Sequence, residues 1–541
     1  MGRVAQRARA EAASTAPRPE RPIPQKPWAA LAGVLAAAVS LGFSELLAAG
    51  SERVPSLVKA VGDVVIDSAP IVVTEWAIQT FGRSDKAVLL AGVLSVAMAV
   101  GALLGVLARR ELARAGAGFA AFALLGVIAA EQDPMTSLPL TFLVAALGVA
   151  VGLGALSKLL VAATPRREAR GRARRRPPEA LALSALDRRR FLGLAGVVAL
   201  VAIGTTVAGR AVSGMGRAAV MAARAALRLP AVATPLPPLS PGATLAVEGI
   251  TPLVTSNSGF YRIDTALEVP RIDPDTWSLT IDGMVDSPLR LSLADLMAMP
   301  QVEADITIAC VSNEVGGHLV GTARWQGVRL AYLLEQAGVQ PGATQIASQS
   351  VDGWTCGFPT EVALDGREAL VAIGMNGELL PLQHGFPARL VVPGLYGYVS
   401  STKWLSHIQL TTLEDFDGYW VPRGWSKLGP IKTHSRIDIP DSGSRIPAGR
   451  TPIAGVAWAQ RRGVDKVEVQ VDDGPWVTAR LSDEVGIDMW RQWVVEWDAT
   501  PGDHRLAVRT TDRTGQVQTA QRRDVMPDGA TGHHVVQVRV R

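Results

Sequence analysis

The sequence predicts a chain in three parts: an N-terminal multi-span α-helical membrane bundle, a mixed α+β domain, and a C-terminal β-sandwich. Three observations predict it. Apolar runs of spanning length crowd the stretch before residue 212. Between about 251 and 425, strand-like runs alternate with helical segments, with many Gly and Pro turns. From about 430 onward, short alternating strands are separated by turn signals. A mean hydropathy of +0.21 is high for a chain with 19% charged residues, so part of it belongs in a bilayer.

Four runs of spanning length occupy residues 28–48, 87–108, 112–130 and 138–160, and a fifth begins at Phe191. The stretch 54–82 is broken by Lys59, Asp63, Asp67, Pro70 and Glu75. It reads as an extracytoplasmic amphipathic or re-entrant piece, with a sixth crossing as the alternative. Orientation follows the basic residues. Arg3, Arg7, Arg9, Arg18, Arg21 and Lys26 precede the first span; Arg109, Arg110 and Arg114 follow the second; the run RREARGRARRR follows the fourth. With five crossings all three fall on the cytoplasmic side, and everything after about Gly209 lies outside. The fifth span opens with DRRRFLGLAGVVALVAIG, which resembles a twin-arginine export signal; an ordinary positive flank explains the same residues. Glu45, at the outer end of the first span, is expected to snorkel to the interface. After Ala211 a short helical stretch leads into PAVATPLPPLSPGAT, a proline-rich tether. The expected divisions are a cytoplasmic basic tail (1–27), a membrane domain (28–212), a linker (213–250), an α+β domain (251–425) and the sandwich (426–541).

Composition excludes several classes. The net charge of +5 and pI near 9.4 could suit a nucleic acid. The arginines sit beside apolar runs, however, and no binding motif accompanies them, so no nucleic-acid partner is expected. Two cysteines, Cys310 and Cys356, allow no disulfide framework, no CxxC metal site and no CxxCH haem attachment. All seven histidines lie after the last span, so no His pair can ligate a haem within the bundle. No haem or flavin is expected.

In the α+β part, WSLTIDG, ADITIACV, QIASQSVDG and ARLVVPG read as strands, and LSLADLMAM and LAYLLEQAG as helices. In the last part DKVEVQVDDGPW, RQWVVEWDA and HRLAVRTTD read as strands. Cys310 ends an apolar strand and enters a Gly-rich loop, which can present a thiolate at a sheet edge. A small buried Cys, or a disulfide with Cys356 in an oxidising compartment, is the alternative. Arg389 sits inside a β run, where an unpaired charge is costly and an anionic partner such as a phosphate would account for it.

Four blocks carry a resemblance beyond propensity: TSNSGFYRID; ITIACVSNEVGG followed by GTARWQGVRLAYLLEQAGV; QHGFPARLVVPGLYGYVSSTKWL; and DGYWVPRGW. In order and spacing, over about residues 250–525, they resemble the sulfite oxidase family. The resemblance implies a sulfite-oxidase-like molybdopterin domain followed by an immunoglobulin-like, dimerisation-type domain, with Mo-molybdopterin as cofactor. It implies Cys310 as the single protein ligand to molybdenum. It places Asn257, Phe260, Tyr261, Thr355, His384, Arg389, Ser401, Thr402 and Lys403 at cofactor-contacting positions, and leaves Arg262 as an anion contact. A solvated edge lysine and a satisfied turn histidine are the alternatives for Lys403 and His384; Cys356 is expected to be structural.

The chain departs from the family after Cys310. Sulfite oxidases follow the cysteine with Asn-Arg-Arg, whereas this chain reads Val311-Ser312-Asn313-Glu314-Val315. Both arginines are missing, and a carboxylate at Glu314 repels a dianion unless it is turned away. A neutral S-oxide or N-oxide, or an oxidised methionine in an exported protein, suits that pocket at least as well as sulfite. The implied reaction is two-electron oxygen-atom transfer outside the bacterial cytoplasmic membrane; sulfite oxidation proper and a non-catalytic membrane-tethered binding module are the alternatives. The implied partners are the lipid bilayer, a separate cytochrome or quinone-linked electron carrier, and a second copy of the chain.

Overall fold

The structure is a computed structural model that describes residues 23–165, apart from 71, 72, 74, 75, 78, 79, 82 and 83, together with residues 185–541. The basic tail before residue 23 and the RREARGRARRR run at 166–176 lie outside the described residues. The chain divides into two compact units, Met1–Gly216 and Arg217–Arg541.

The first unit contains helices α1 (Lys26–Ala48), α2 (Leu57–Ser68), α3 (Asp85–Ala108), α4 (Leu112–Ala130) and α5 (Leu138–Ala162), and most of α6 (Ala185–Ala226). Among the described residues five helices, all but α2, are long and apolar enough to cross a membrane. The 12 residues of α2 rise only about 18 Å, short of a hydrocarbon core of about 30 Å. Ser56 caps α2 by accepting from Lys59 N at 3.3 Å, and its hydroxyl donates to Glu45 at 2.5 Å. Glu45 therefore supports the cap of α2.

Apolar side chains gain little from meeting one another in lipid, so close packing falls to small residues. At the α1–α3 crossing a Cβ on Gly33 would meet Gly105 Cα at 2.8 Å. On α5, a Cβ on Gly152 would meet the Cβ of Ser40 on α1 at 2.9 Å.

Helix α6 differs from expectation. The fifth span and the stretch after Ala211 form one uninterrupted helix of 42 residues. The segment AVSGMGRAAVMAARAA has no proline, and its Ala, Met and Arg tolerate the two glycines, each costing about 1 kcal/mol; Pro230 is the first residue that forbids continuation. The proline-rich segment is also no free tether. Pro230 O accepts from Gln326 Nε2 at 2.7 Å, Leu236 N donates to Glu303 at 2.9 Å, and Leu245 N donates to Gln492 at 2.7 Å. Its few N–H groups find side-chain acceptors along the second unit, so the segment is extended but docked.

The second unit opens with strands β1 (Ser278–Gly283), β2 (Leu289–Ser292), β3 (Val302–Ala309), β4 (Val320–Arg329), β5 (Gln345–Ser350), β6 (Thr355–Pro359), β7 (Leu370–Met375), β8 (Glu378–Leu379), β9 (Arg389–Val391) and β10 (Leu405–Thr411). They form two sheets, β2-β1-β10-β5-β6 and β3-β4-β7-β8, with β9 on β7. Helix α7 (Leu293–Ala298) starts in a Ser292–Asp295 capping box, α8 (Leu330–Ala337) ends on left-handed Gly338, and α9 (Thr360–Leu364) and α10 (Gly397–Ser400) are short. Trp325, Leu279, Ile281, Leu333, Val371 and Ile408 are among the fully buried residues of one shared core.

The remaining strands are β11 (His434–Ile439), β12 (Arg445–Ile446), β13 (Gly449–Trp458), β14 (Val464–Val471), β15 (Trp476–Thr478), β16 (Arg480–Leu481), β17 (Arg491–Ala499), β18 (Gly502–Asp512) and β19 (His534–Val540). They build sheets β11-β13-β17-β16 and β12-β19-β18-β14-β15. Ile453, Ala457 and Trp493 of the first sheet share an apolar cluster with Val467, Leu506 and Val508 of the second.

Candidate functional site

The site is assembled at the end of β3. The apolar alternation of β3 carries the chain to Cys310, where the loop turns back: Cys310 N donates to Leu319 O at 2.9 Å, and Asn313 N donates to Cys310 O at 3.1 Å. The Asn313 side chain closes the loop by accepting from Leu319 N at 2.7 Å. Cys310 is a buried, free thiol, and so is Cys356; no disulfide joins them. Burial pushes the Cys310 thiol up, while hydrogen bonds from Ser312 and the charge of Lys403 act in the opposite direction. Cys356 instead lies with Ser348 Oγ at 3.3 Å and Thr402 Oγ1 at 3.1 Å, its thiol pushed up to about 11 by burial.

Facing Cys310 is the loop 255–264. Phe260 is buried, stacked on Tyr261 (5.2 Å between centroids) and edge-on to Trp325 and His384 (5.7 Å each). Its seat exists because Gly321 has no side chain: a Cβ there would meet the Phe260 ring at 2.9 Å. Burial raises the Tyr261 phenol, Cys310 raises it further, and Arg389 lowers it, so these three groups share one electrostatic neighbourhood.

Asn257 has its side chain occupied. Its Nδ2 donates to Glu378 at 2.6 Å and to Met375 O at 3.2 Å, and its Oδ1 accepts from Asn376 at 2.8 Å. Its backbone carbonyl accepts from His384 Nε2 at 2.8 Å. That bond assigns the proton to Nε2 and leaves Nδ1 as an acceptor. Burial is the main reason that His384 is pushed down to about 4, and the charges of Arg389, Lys403 and Arg262 add to it. The imidazole is neutral at pH 7.

The turn after His384 runs through Gly385 at φ +109°, where a Cβ would meet Arg389 Cβ and Lys403 Cα at 3.1 Å. Only glycine lets the Arg389 and Lys403 segments close there. Arg389 is 4% exposed. Its guanidinium donates to His384 O at 3.2 Å and lies 4.9 Å from the Trp325 ring centre, and no carboxylate among the described residues pairs with it. Burial pushes it down to about 10. Lys403 donates to Asp264 at 2.7 Å and is lowered to about 8, chiefly by burial. Asp264 also accepts from Arg262 Nε at 2.8 Å. One carboxylate thus holds two cations.

Of the expected site residues, Cys310, Tyr261, Arg262, His384, Arg389 and Lys403 share one electrostatic cluster, with Phe260 and Asn257 in contact with His384. Thr402 faces Cys356 and Ser348, with its hydroxyl 2.7 Å from Ser348 Oγ. Thr355 starts β6 beside Cys356, and strand alternation turns it to the opposite face from that trio. Sequence reading missed Asp264, two residues after Arg262, and Trp325, the platform for Arg389. It also missed Asp352, whose carboxyl is raised by burial and by Asp264 and lowered by Lys403; no spacing rule signals any of the three. Glu314 is exposed, so its carboxylate is turned away from the buried cluster.

Two orphans show what the cluster accommodates. Among the described residues the buried Ser401 hydroxyl has no partner and the buried Arg389 guanidinium no anion; both costs are removed by a polar, anionic ligand. Among the described residues no group of three or more His, Cys, Asp and Glu could hold a metal ion.

Residues 266–420 match the family described as oxidoreductase molybdopterin binding domain. The uncharacterized oxidoreductase YuiH of Bacillus subtilis is 37% identical over 161 residues, 29% of this chain and 76% of that one. The chain belongs to the sulfite oxidase family of molybdopterin oxidoreductases. Its cofactor is Mo-molybdopterin. Human mitochondrial sulfite oxidase is 31% identical over 302 residues, covering 47% of this chain and 55% of the human one, so the chain spans about half the length of that relative. The sulfane dehydrogenase SoxCD of Paracoccus pantotrophus superposes with a TM-score of 0.48 at 23% identity, over 56% of this chain and 86% of that one.

Proposed function

We propose that the protein is a membrane-anchored molybdenum-cofactor oxidoreductase of the bacterial cytoplasmic membrane. Its catalytic unit faces the extracytoplasmic side and transfers oxygen atoms to or from a small or protein-bound S-oxide or N-oxide. The observation that carries the reading is the convergence of one buried thiol, Cys310, with a buried guanidinium, Arg389, that has no carboxylate partner. When bound, the cofactor supplies two-electron exchange of an oxygen atom with substrate. Cys310 is the protein's ligand to its metal, and Lys403 and Ser312 favour the thiolate that coordination needs. Arg389 and the Ser401 hydroxyl hold the anionic and polar parts of the pterin, and neutral His384 offers Nδ1 as an acceptor. Thr355, Thr402 and Asn257 shape the walls.

Substrate charge follows from the pairing of cations. Arg262 and Lys403 share the single carboxylate of Asp264, so the three together leave one net positive charge, less than a dianion needs, and a neutral oxide fits better. Sulfite oxidation is the second reading, favoured by the 41% exposure of the Arg262 side chain, which leaves it able to turn to an anion. The five apolar helices support anchoring, and the twin arginines in the first turns of α6 support export of a folded, loaded domain. Electrons pass through a separate cytochrome or quinone-linked carrier. The two C-terminal sheets support an immunoglobulin-like module and a homodimer.

The test is molybdenum and pterin content of the full chain, purified from a host with intact cofactor synthesis, beside Cys310→Ser. Near-stoichiometric metal and pterin in wild type, with metal lost or its spectrum altered in the variant, is expected. Turnover of methionine sulfoxide or trimethylamine N-oxide with a reduced viologen, against sulfite with ferricyanide, then separates the two substrate readings. Wild-type protein devoid of both metal and pterin would overturn the proposal.

A further inference from the structure

The outer end of α6 makes an unusual set of bonds. Arg224 donates from Nε to Leu380 O at 2.8 Å, and its Nη2 reaches both the Leu379 carbonyl and Glu378 Oε2, the latter at 3.2 Å. One side chain thus holds three consecutive residues, 378–380, just ahead of the Leu382–His384 turn. Two routes lead from it to one imidazole. Along the backbone, Leu380 is four residues before His384. Through side chains, the same Glu378 accepts from Asn257 Nδ2 at 2.6 Å, and Asn257 O accepts from His384 Nε2 at 2.8 Å. Arg224 also lowers the Glu378 carboxyl, after the larger effect of the Asn257 hydrogen bond, which keeps it charged in the network. The hold continues past the helix: Leu229 lies where a Cβ on Gly374 would meet it at 2.7 Å.

We infer that Arg224 is a positioning residue for the cofactor site, acting through Glu378 and Asn257 on His384. The catalytic unit therefore begins on α6 and not after the proline-rich segment. The bonds from Arg224 exist without any cofactor; the consequence for the metal rests on the function proposed above. Removing the guanidinium frees two carbonyls and leaves Glu378 held by Asn257 alone, so the 376–386 segment and the ring of His384 lose their fixed place. Arg217, one heptad earlier on the same helix and exposed, is the matched control.

The experiment uses the full chain in detergent, as wild type, Arg224→Gln, Glu378→Ala and Arg217→Gln. Hydrogen–deuterium exchange reads the segment, and the electron paramagnetic resonance signal of the molybdenum reads the site. Arg224→Gln and Glu378→Ala are expected to speed amide exchange in 376–386 at least about 10-fold, to shift the resonance g-values and to lower pterin occupancy. Arg217→Gln should change none of these. Unchanged exchange in Arg224→Gln overturns the bonding role. Faster exchange with an identical resonance in equally loaded protein overturns the positioning role. Were wild type to contain no cofactor, the proposed function would fall while the exchange comparison still decided whether Arg224 holds the His384 turn.

Discussion

Replacing Arg389 by methionine is expected to change stability in opposite directions with and without cofactor. Burial pushes the guanidinium down to about 10. Each pH unit between that value and an ordinary guanidinium is worth about 1.4 kcal/mol, so holding the charge there costs about 3 kcal/mol. The sign is simple: a cation whose folded pKa is depressed carries the full cost at every pH below about 10. Methionine keeps the stem packing and removes that cost. It also removes two long hydrogen bonds, at 3.2 Å to His384 O and 3.4 Å to Leu390 O, together worth about 1 kcal/mol, and the contact with Trp325, worth about 1 kcal/mol. The cofactor-free protein should gain about 1 kcal/mol by this count. A unit of residues 217–541 gains about 0.7 kcal/mol/K of entropy on unfolding, so Tm should rise by about 1–2 °C. In the loaded protein the same change strands the ligand's anion, at about 2 kcal/mol or more, and should cut pterin affinity about 30-fold. The assay is thermal unfolding of protein from a host unable to make the cofactor, followed by tryptophan fluorescence, beside pterin content from a competent host. A fall of several degrees without cofactor, together with full pterin occupancy with it, would refute the reasoning.

Other consequences are testable with simpler means. Gly321→Val should displace Phe260 from its seat and cost about 1–3 kcal/mol by overpacking, with loss of pterin, whereas Gly486→Val, which meets nothing nearby, should leave pterin content intact. Buried His434 and half-buried His534 are both pushed down to about 4, so the native state binds fewer protons than the unfolded chain; stability should be level above pH 6.5 and fall as pH drops toward 4, by up to about 3 kcal/mol per histidine. A flat urea-unfolding free energy between pH 6.5 and 4.5 would contradict this. Gly105→Leu should prevent α1 and α3 from meeting, and extraction from the membrane should then give aggregated material where wild type gives a single species in size-exclusion chromatography. Asp264→Asn should release Arg262 and Lys403 together and tighten inhibition by sulfate in proportion to the freed charge; unchanged inhibition would show that neither cation meets the anion.

Legibility in the sequence followed the range of the interactions. Elements set by local periodicity were readable: the spans, the helix in LSLADLMAM, the strand ending at Cys310. The resemblance blocks supplied Cys310, His384, Arg389 and Lys403, and the structure brings these together. What could not be read is what depends on a partner far away in the chain. Asp264 looks like an ordinary loop carboxylate until Lys403, distant in sequence, folds onto it. The docking of the proline-rich segment was equally hidden, because its acceptors lie on Glu303 and Gln492. Helix α6 differs for another reason: the sequence suggests a fifth span and a separate short helical stretch after Ala211, although no residue between them breaks a helix.

The position of Cys310 itself depends on residues that carry no chemistry. Along β3, Thr307 N donates to Asp488 O at 2.9 Å, Trp490 N donates to Thr307 Oγ1 at 2.8 Å, and Gln460 donates to Thr307 O at 3.1 Å. Three groups from the C-terminal sheets and their loops therefore grip the strand three residues before the cysteine. The loop after the cysteine is gripped as well. Arg436 donates to Gly317 O at 2.8 Å, and Gly316, at φ +82°, lies so close to the His534 ring that no side chain fits. Arg436 is itself fixed by Asp438 at 2.6 Å. A strand held before the thiol and a loop held after it leave the Cys310 backbone little freedom to move, which is what a fixed ligand position requires. The β-sandwich is in this sense part of the site. Loss of Arg436, more than 100 residues from the cysteine in the chain, should loosen Cys310, the proposed metal ligand, without touching the pocket.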